Sequence, residues 1–242
     1  MSTQKIKQRE KAIDLLENFI IEKELEPGEK LPSERTLSEL WDVNRMTLRK
    51  AILKLSNEGV LKIVPGSGTY LAKKRLVRNL QDIKGFYQCA TDENREIKTK
   101  IVEISMIEAN KDIGQKMHLV LGSKVIKLIR VRYLQDTPTT YSMIFMDGER
   151  LAGLMDEDLT NGSLYKLLTE KYGIEPYNGE ESISIAYCDE HEASWLEVEV
   201  DSPVIFQSGI TRDEDGNIFE YFKELTRSDQ VVLASELKRR KE

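Results

Sequence analysis

The segment from Ser33 to Leu71 codes for two short helices separated only by a turn around Asp42 and Val43, followed at once by a glycine-rich hairpin. Few folds accommodate that succession. In SERTLSELW, Ser33 is placed to cap the first helix, because its hydroxyl can accept from an amide that has no partner one turn inside. Asn44 is placed to cap the second, which runs to about Glu58 and stops at Gly59. Leu48, Ala51, Ile52 and Leu55 fall at i, i+3, i+4 and i+7, so that side of the helix must be buried. Arg45 and Arg49, with Asn44, Thr47 and Lys50, are left on the opposite side. Two helices joined by a tight turn, with basic and amide side chains opening the second, predict a helix-turn-helix. VLKIV and TYLAKK, joined by PGSG, predict a hairpin beside it. Its backbone can approach a groove closely because Gly66 and Gly68 have no side chain. Upstream, Ile6, Ile13, Leu16, Phe19 and Ile20 mark an amphipathic helix over 5–24 that EPGEKLPS terminates.

Charge decides what such a head could touch. Over all 242 residues, 36 basic against 42 acidic side chains give minus 6, which by itself speaks against a nucleic-acid partner. The average hides a division. Residues 1–75 hold 15 basic and 11 acidic side chains, plus 4, and residues 76–242 hold 21 and 31, minus 10. A basic head on an acidic body predicts two domains with different partners: 1–75 for DNA, a linker over 76–97 and a second domain over 98–242. No apolar run reaches the roughly 18 residues of a membrane span, and MSTQKIKQREK is charged where a signal peptide is apolar. The expectation is a cytoplasmic protein with no membrane partner. Cys89 and Cys188, with His118 and His191, give neither a disulfide framework nor a metal-ligand spacing, so no metal or cofactor is expected.

From about residue 98, β-type runs (99–107, 124–134, 139–146, 181–188, 203–212 and 217–227) alternate with helical ones (107–119, 164–173 and 189–198). Short turns such as QDTP and DEDG between strands predict a mainly antiparallel sheet with helices, an α+β fold. Arg130 and Arg132 alternate with Ile129, Val131 and Tyr133, so both guanidiniums leave one face of a strand, where two parallel forks suit a phosphate or carboxylate. In NGSLYKLL, Ser163 opens a helix whose hydroxyl and free amides favour an anion.

PGEKLPSER, VNRMTLRKA, LSNEGVL and GSGTYL, in that order, resemble the winged helix-turn-helix of GntR-family bacterial transcription factors. The resemblance implies that Arg35, Asn44, Arg45, Thr47, Arg49 and Gly66 meet an operator, with Ser33, Ser67 and Thr69 at phosphates. Arg suits guanine O6 and N7, whereas hydroxyls suit phosphate oxygens. The family usually has Ser where Asn44 stands, and Asn can both cap the helix and read adenine. Farther on, RVR, the DTP turn, GSLYKLL with YG, LEVEVDSPV, DEDGNIFEYFKE and a closing arginine resemble the UTRA effector-binding domain of the HutC branch, over about 80–235. That resemblance implies a chorismate-lyase-like sheet in which Arg130, Arg132, Ser163 and Tyr165 hold a small anionic effector such as a phosphorylated sugar. Relatives that bind amino-sugar phosphates have an acid where Ser142 stands and a tyrosine where Thr226 stands, so a carboxylate for a ligand hydroxyl or amine is expected to be missing. The function implied is a homodimeric repressor on a pseudo-palindromic, double-stranded DNA operator, its affinity set by the effector. The alternative is an enzyme acting on a small carboxylate through the lyase-like fold. No nucleophile and base pair stands out for it, and His118 and His191 sit in helical or acidic contexts.

Overall fold

The computed structural model describes residues 3–72, 75–83 and 85–236, which form two units, Met1–Arg75 and Leu76–Glu242. In the first, α1 (Thr3–Glu22), α2 (Glu34–Trp41) and α3 (Arg45–Asn57) precede a hairpin of β1 (Leu61–Val64) and β2 (Gly68–Leu71). Ser33 caps α2 by accepting from the Thr36 amide, and Asn44 caps α3 by accepting from Met46. Between them Asp42 takes a left-handed conformation, and the Ser38 hydroxyl donates to the Val43 carbonyl at 2.6 Å, which closes the turn. Gly59, just past α3, has φ of 75°, a conformation that favours glycine after a helix. Leu48, Ala51, Ile52 and Leu55 pack with Ala12, Ile13, Leu16, Leu37 and Leu61. The side chain of Ile6 and residues 73 and 74 of the expected wing strand lie outside the described residues.

One element was not foreseen. The stretch expected only to break α1 pairs with the hairpin: Gly28 and Leu31 donate to the carbonyls of Leu71 and Thr69, and Leu71 donates to Glu29. The wing is thereby held to the helical core through Leu31, which is buried.

The second unit runs β3 (Leu76–Asn79), α4 (Phe86–Asp92), β4 (Ile97–Glu108), α5 (Lys111–Met117), β5 (Lys124–Leu134), β6 (Thr137–Asp147), α6 (Leu164–Tyr172), β7 (Asn178–Tyr187), α7 (Glu190–Leu196), β8 (Pro203–Arg212), β9 (Ile218–Thr226) and β10 (Val231–Ala234). Six strands make one antiparallel sheet in the order β4-β5-β6-β9-β8-β7. Its two faces carry separate cores. Ile126, Leu128, Ile144, Met146 and Phe219 pack under Leu164 and Leu168 of α6, whereas Ile129, Val131, Tyr141 and Leu225 pack with Ala193 and Leu196 of α7. The helix expected over 107–119 is shorter because β4 continues to Glu108 and Asn110 caps α5 through the Ile113 amide.

The stretch 76–97, expected as a linker, belongs to the second unit instead. β3 pairs in parallel with β10, and Leu76 and Val231 are buried with Phe86, Ala90 and Leu134. Its apolar residues looked scattered because β3 is four residues long and α4 seven, too short for a period to show.

The first unit depends on a small core, so a cavity there is costly. Leu48→Ala, at a fully buried position, should lower the stability of that unit by about 2–5 kcal/mol. Calorimetry should show its unfolding transition at lower temperature and that of the second unit unmoved.

Candidate functional site

The first site is the outer face of α3 with the wing. Arg45, Arg49 and Lys50 are exposed, Thr47 is half-buried, and Leu48 between them is fully buried, so the α3 period itself separates core from surface. Asn44 Oδ1 is engaged as the cap at 2.8 Å from the Met46 amide, which leaves its amide nitrogen as the group free to face outward. Met46, 62% exposed, brings an apolar side chain into this basic face, and its type complements a thymine methyl. Arg35 pairs with Glu39 at 2.9 Å, with both side chains well exposed, and such a pair is weak enough in water to exchange for a phosphate. At the wing tip Gly66 has φ of 72° with open space where a Cβ would stand, so conformation and not crowding demands glycine there. Gly68 has φ of 137°, which also favours glycine, and a Cβ there would lie 2.9 Å from the Lys30 side chain. Ser67 Oγ lies 2.6 Å from Tyr70 Oη, and Thr69 is half-buried in the hairpin.

The second site lies on the α6 face of the large sheet, where the core gives way to polar side chains. Strand alternation puts Ile126, Leu128, Arg130 and Arg132 on one face of β5. Register then aligns Arg130 with Ser142, Ser142 with Glu224 and Glu224 with Gln207 across four strands. The result is a narrow cleft lined by Arg130, Arg132, Ser142, Ser163 and Tyr165 among others. The four positions that the resemblance implies for an effector, Arg130, Arg132, Ser163 and Tyr165, therefore converge, and Ser142 joins them. Thr226 does not line the cleft: it is buried in the next row, with its hydroxyl 3.3 Å from that of Thr140.

Arg130 and Arg132 are only 5% and 6% exposed, yet the Nε of each has no hydrogen-bond partner, and neither has Ser142 Oγ. Burial, and then the like charge of Arg132, disfavours the charged form of Arg130, and burial does the same to Arg132. Arg132 lies over the Phe86 ring at 5.6 Å. Ser163 caps α6 by accepting from Lys166 and so faces the cleft from a helix start.

The missing carboxylate is supplied from elsewhere. Glu220 and Glu224 of β9 both line the cleft. Tyr165 Oη and Thr211 Oγ1 donate to Glu220 at 2.6 and 2.8 Å, but burial outweighs these bonds and raises its pKa. Glu224 accepts from Arg78 at 3.2 Å. Burial lowers the pKa of Arg78, but Glu224 and Glu181 more than offset this. Alternation in NIFEYFKELT already puts Glu220, Phe222 and Glu224 on one strand face; which face required the strand order. Arg78, Gly85 and Phe86, which also line the cleft, come from the stretch expected as linker.

Elsewhere, His118 ends α5 in a left-handed conformation, and His191 Nε2 accepts from Trp195 Nε1 at 3.2 Å. Among the described residues no His, Cys, Asp and Glu group is arranged to hold a metal ion, and no helix is long and apolar enough to cross a membrane.

Because burial at Arg130 outweighs the attraction of Glu220 and Glu224 and leaves its Nε unpartnered, Arg130→Met should leave the protein at least as stable as the parent. Thermal unfolding measures this, and a lowered midpoint would show that Arg130 has a structural role.

The UTRA domain pattern matches residues 92–231, more than half of the chain, and the pattern of bacterial regulatory proteins of the gntR family matches residues 8–71. The chain is 28% identical over 175 residues to the HTH-type transcriptional regulator YurK of Bacillus subtilis, covering 72% of each protein. It is 26% identical over 210 residues to the transcriptional repressor NagR of the same organism, covering 87% of this chain and 86% of NagR. To the mannosyl-D-glycerate transport/metabolism system repressor MngR of Escherichia coli it is 24% identical over 216 residues, covering 89% and 90%. The crystal structure of PhnF from Mycobacterium smegmatis has the same fold, with a TM-score of 0.70 at 20% identity over 95% of this chain and all of that one. With a gntR-type helix-turn-helix ahead of a UTRA domain that spans most of the remainder, the chain belongs to the GntR family of bacterial regulatory proteins.

Proposed function

We propose that the protein is a cytoplasmic, homodimeric transcriptional repressor that leaves its operator when a small anion, a phosphorylated sugar, occupies the cleft. The observation that carries the effector reading is the pair of guanidiniums on β5, more than nine-tenths buried with unpartnered Nε atoms. A phosphate seated between them supplies acceptors for those two Nε donors, which no protein group fills. Relatives that are repressors, one of them of a mannosyl-D-glycerate system, support repression and a sugar-derived signal.

On the DNA side, Arg45 and Arg49 read base edges from α3, Asn44, Met46, Thr47 and Lys50 fill in around them, and Ser33, Arg35, Gly66, Ser67 and Thr69 follow the backbone. A net charge of plus 4 on the head is modest and the body is acidic, so affinity rests on two heads acting together. A two-fold dimer matches a pseudo-palindrome with one α3 per half-site. An effector that prefers one arrangement of the paired heads by about 1–3 kcal/mol changes operator affinity about 5- to 150-fold.

The dimer needs a surface, and β7 offers one. It is an outermost strand of the large sheet, with Ile183, Ile185 and Tyr187 on one face exposed by 43%, 74% and 68%. Pairing of two such edges around a two-fold axis covers both the apolar stripe and the open backbone groups.

Two experiments test this reading. On an operator selected from random DNA, Arg49→Ala should abolish the specific footprint in a protein with unchanged circular dichroism; sugar phosphates should release the parent and fail to release Arg130→Met. An undisturbed Arg49→Ala footprint, or release of Arg130→Met, would contradict the assignment. In sedimentation, Ile185→Lys should convert the dimer to monomer, and a persistent dimer would place the interface elsewhere.

A further inference from the structure

Two neighbouring side chains at the start of α3 offer an operator something that its arginines do not. Asn44 is exposed, and its Oδ1 is turned in on the helix, 2.8 Å from the Met46 amide. The bidentate pair that asparagine makes with adenine N6 and N7 needs Oδ1 and Nδ2 facing the base together, so capping removes it. What Asn44 presents outward is a donor. The same bond fixes where that donor stands, because an oxygen seated on the Met46 amide keeps the other arm of the side-chain amide beside residue 46. Met46 is 62% exposed and lies outside the apolar core of the head, between Arg45 and Thr47 in the chain. An uncharged thioether gains nothing from phosphates there and gains free energy only against an apolar surface.

Along α3, Arg45 and Arg49 form one row, and Met46 and Lys50 form the row beside it, with the members of each one turn apart. The arginines suit guanine O6 and N7, so Met46 and the Asn44 amide nitrogen fall to a neighbouring base pair. Each base shows a different edge in the major groove. Adenine and cytosine put an amino group forward, which sets donor against donor, and guanine has two acceptors with nothing apolar beside them. Thymine alone carries an acceptor, O4, next to a methyl group.

We propose that Asn44 and Met46 together read one thymine in each half-site, with Asn44 Nδ2 donating to O4 and the Met46 side chain packed on the C5-methyl. This rests on the reading of α3 as the helix that enters the major groove. Asparagine is a cap that can do both tasks at once, since its acceptor and its donors are on different atoms. The capping bond thus sets specificity as well as helix stability: it selects which half of the amide meets the base and places it next to the one exposed apolar side chain of the helix start.

Competition binding of the full chain to an operator selected from random DNA tests this with two base analogues, placed in turn at each thymine of the half-site. Deoxyuridine keeps O4 and lacks the methyl; 5-methyldeoxycytidine, paired with guanine, keeps the methyl and has an amino group in place of O4. At the thymine that is read, deoxyuridine should weaken the parent about three- to fivefold, the effect of one buried methyl. There 5-methyldeoxycytidine should weaken it about 5- to 150-fold, the effect of a mismatched base pair. Met46→Ala should bind the thymine and deoxyuridine operators equally and still reject 5-methyldeoxycytidine. Asn44→Asp, which keeps the cap and presents an acceptor in place of the donors, should lose the preference for thymine over 5-methyldeoxycytidine with circular dichroism unchanged. If no thymine of the half-site responds to both analogues, or if either response survives in its variant, the thymine reading is overturned and the Arg49-dependent footprint stands. If selection yields no operator, or if Arg49→Ala footprints as the parent does, the underlying reading of α3 fails as well.

Discussion

Strand alternation along β5 is the constraint on which the second unit depends. The same face carries Ile126 and Leu128, fully buried under α6, and then Arg130 and Arg132, nearly as buried and without partners at Nε. A strand cannot place the first pair in the core without placing the second beside it, because the side-chain period is two residues. Burying an ion costs several kcal/mol, and here burial outweighs the attraction of Glu220 and Glu224, so the apolar packing of this face holds two guanidiniums where their charged form is disfavoured. Under the proposed function, an anion seated there would relieve that cost and gain the relief as binding free energy.

The polar row beside those arginines is likewise a product of register. Ser142, Glu224 and Gln207 face Arg130 in successive strands, and Arg78 reaches the row from β3. Charges of both signs then coexist in a space where water is limited, and burial pushes them in opposite senses: Glu220 is pushed towards its protonated form and Arg130 towards its neutral one. Tyr165, held between Glu220 and Thr211, joins α6 to this row.

The first unit was largely legible because its signals are local. Ser33 and Asn44 cap as their types require, the period of α3 separates Leu48 from Arg45 and Arg49, and PGSG makes the turn between β1 and β2. What escaped was Gly28 to Leu31, since a strand of that length has no period and its pairing with β2 is long-range. The same reason hid β3 and β10, whose parallel pairing joins residues about 155 positions apart, and with them the place of Arg78 and Phe86 in the cleft.

By itself the sequence determined the helix-turn-helix, the six long strands and the single face shared by Arg130 and Arg132, because capping, helical period and strand alternation act between near neighbours. It also determined the division of charge between head and body. Only the tertiary structure decided that β9 lies beside β6. That neighbour brings Glu220 and Glu224 to a site that lacked an acid at Ser142, and leaves Thr226 paired with Thr140. Strand order is set by which faces and edges can be buried together over the whole unit, and no local pattern in the chain encodes it.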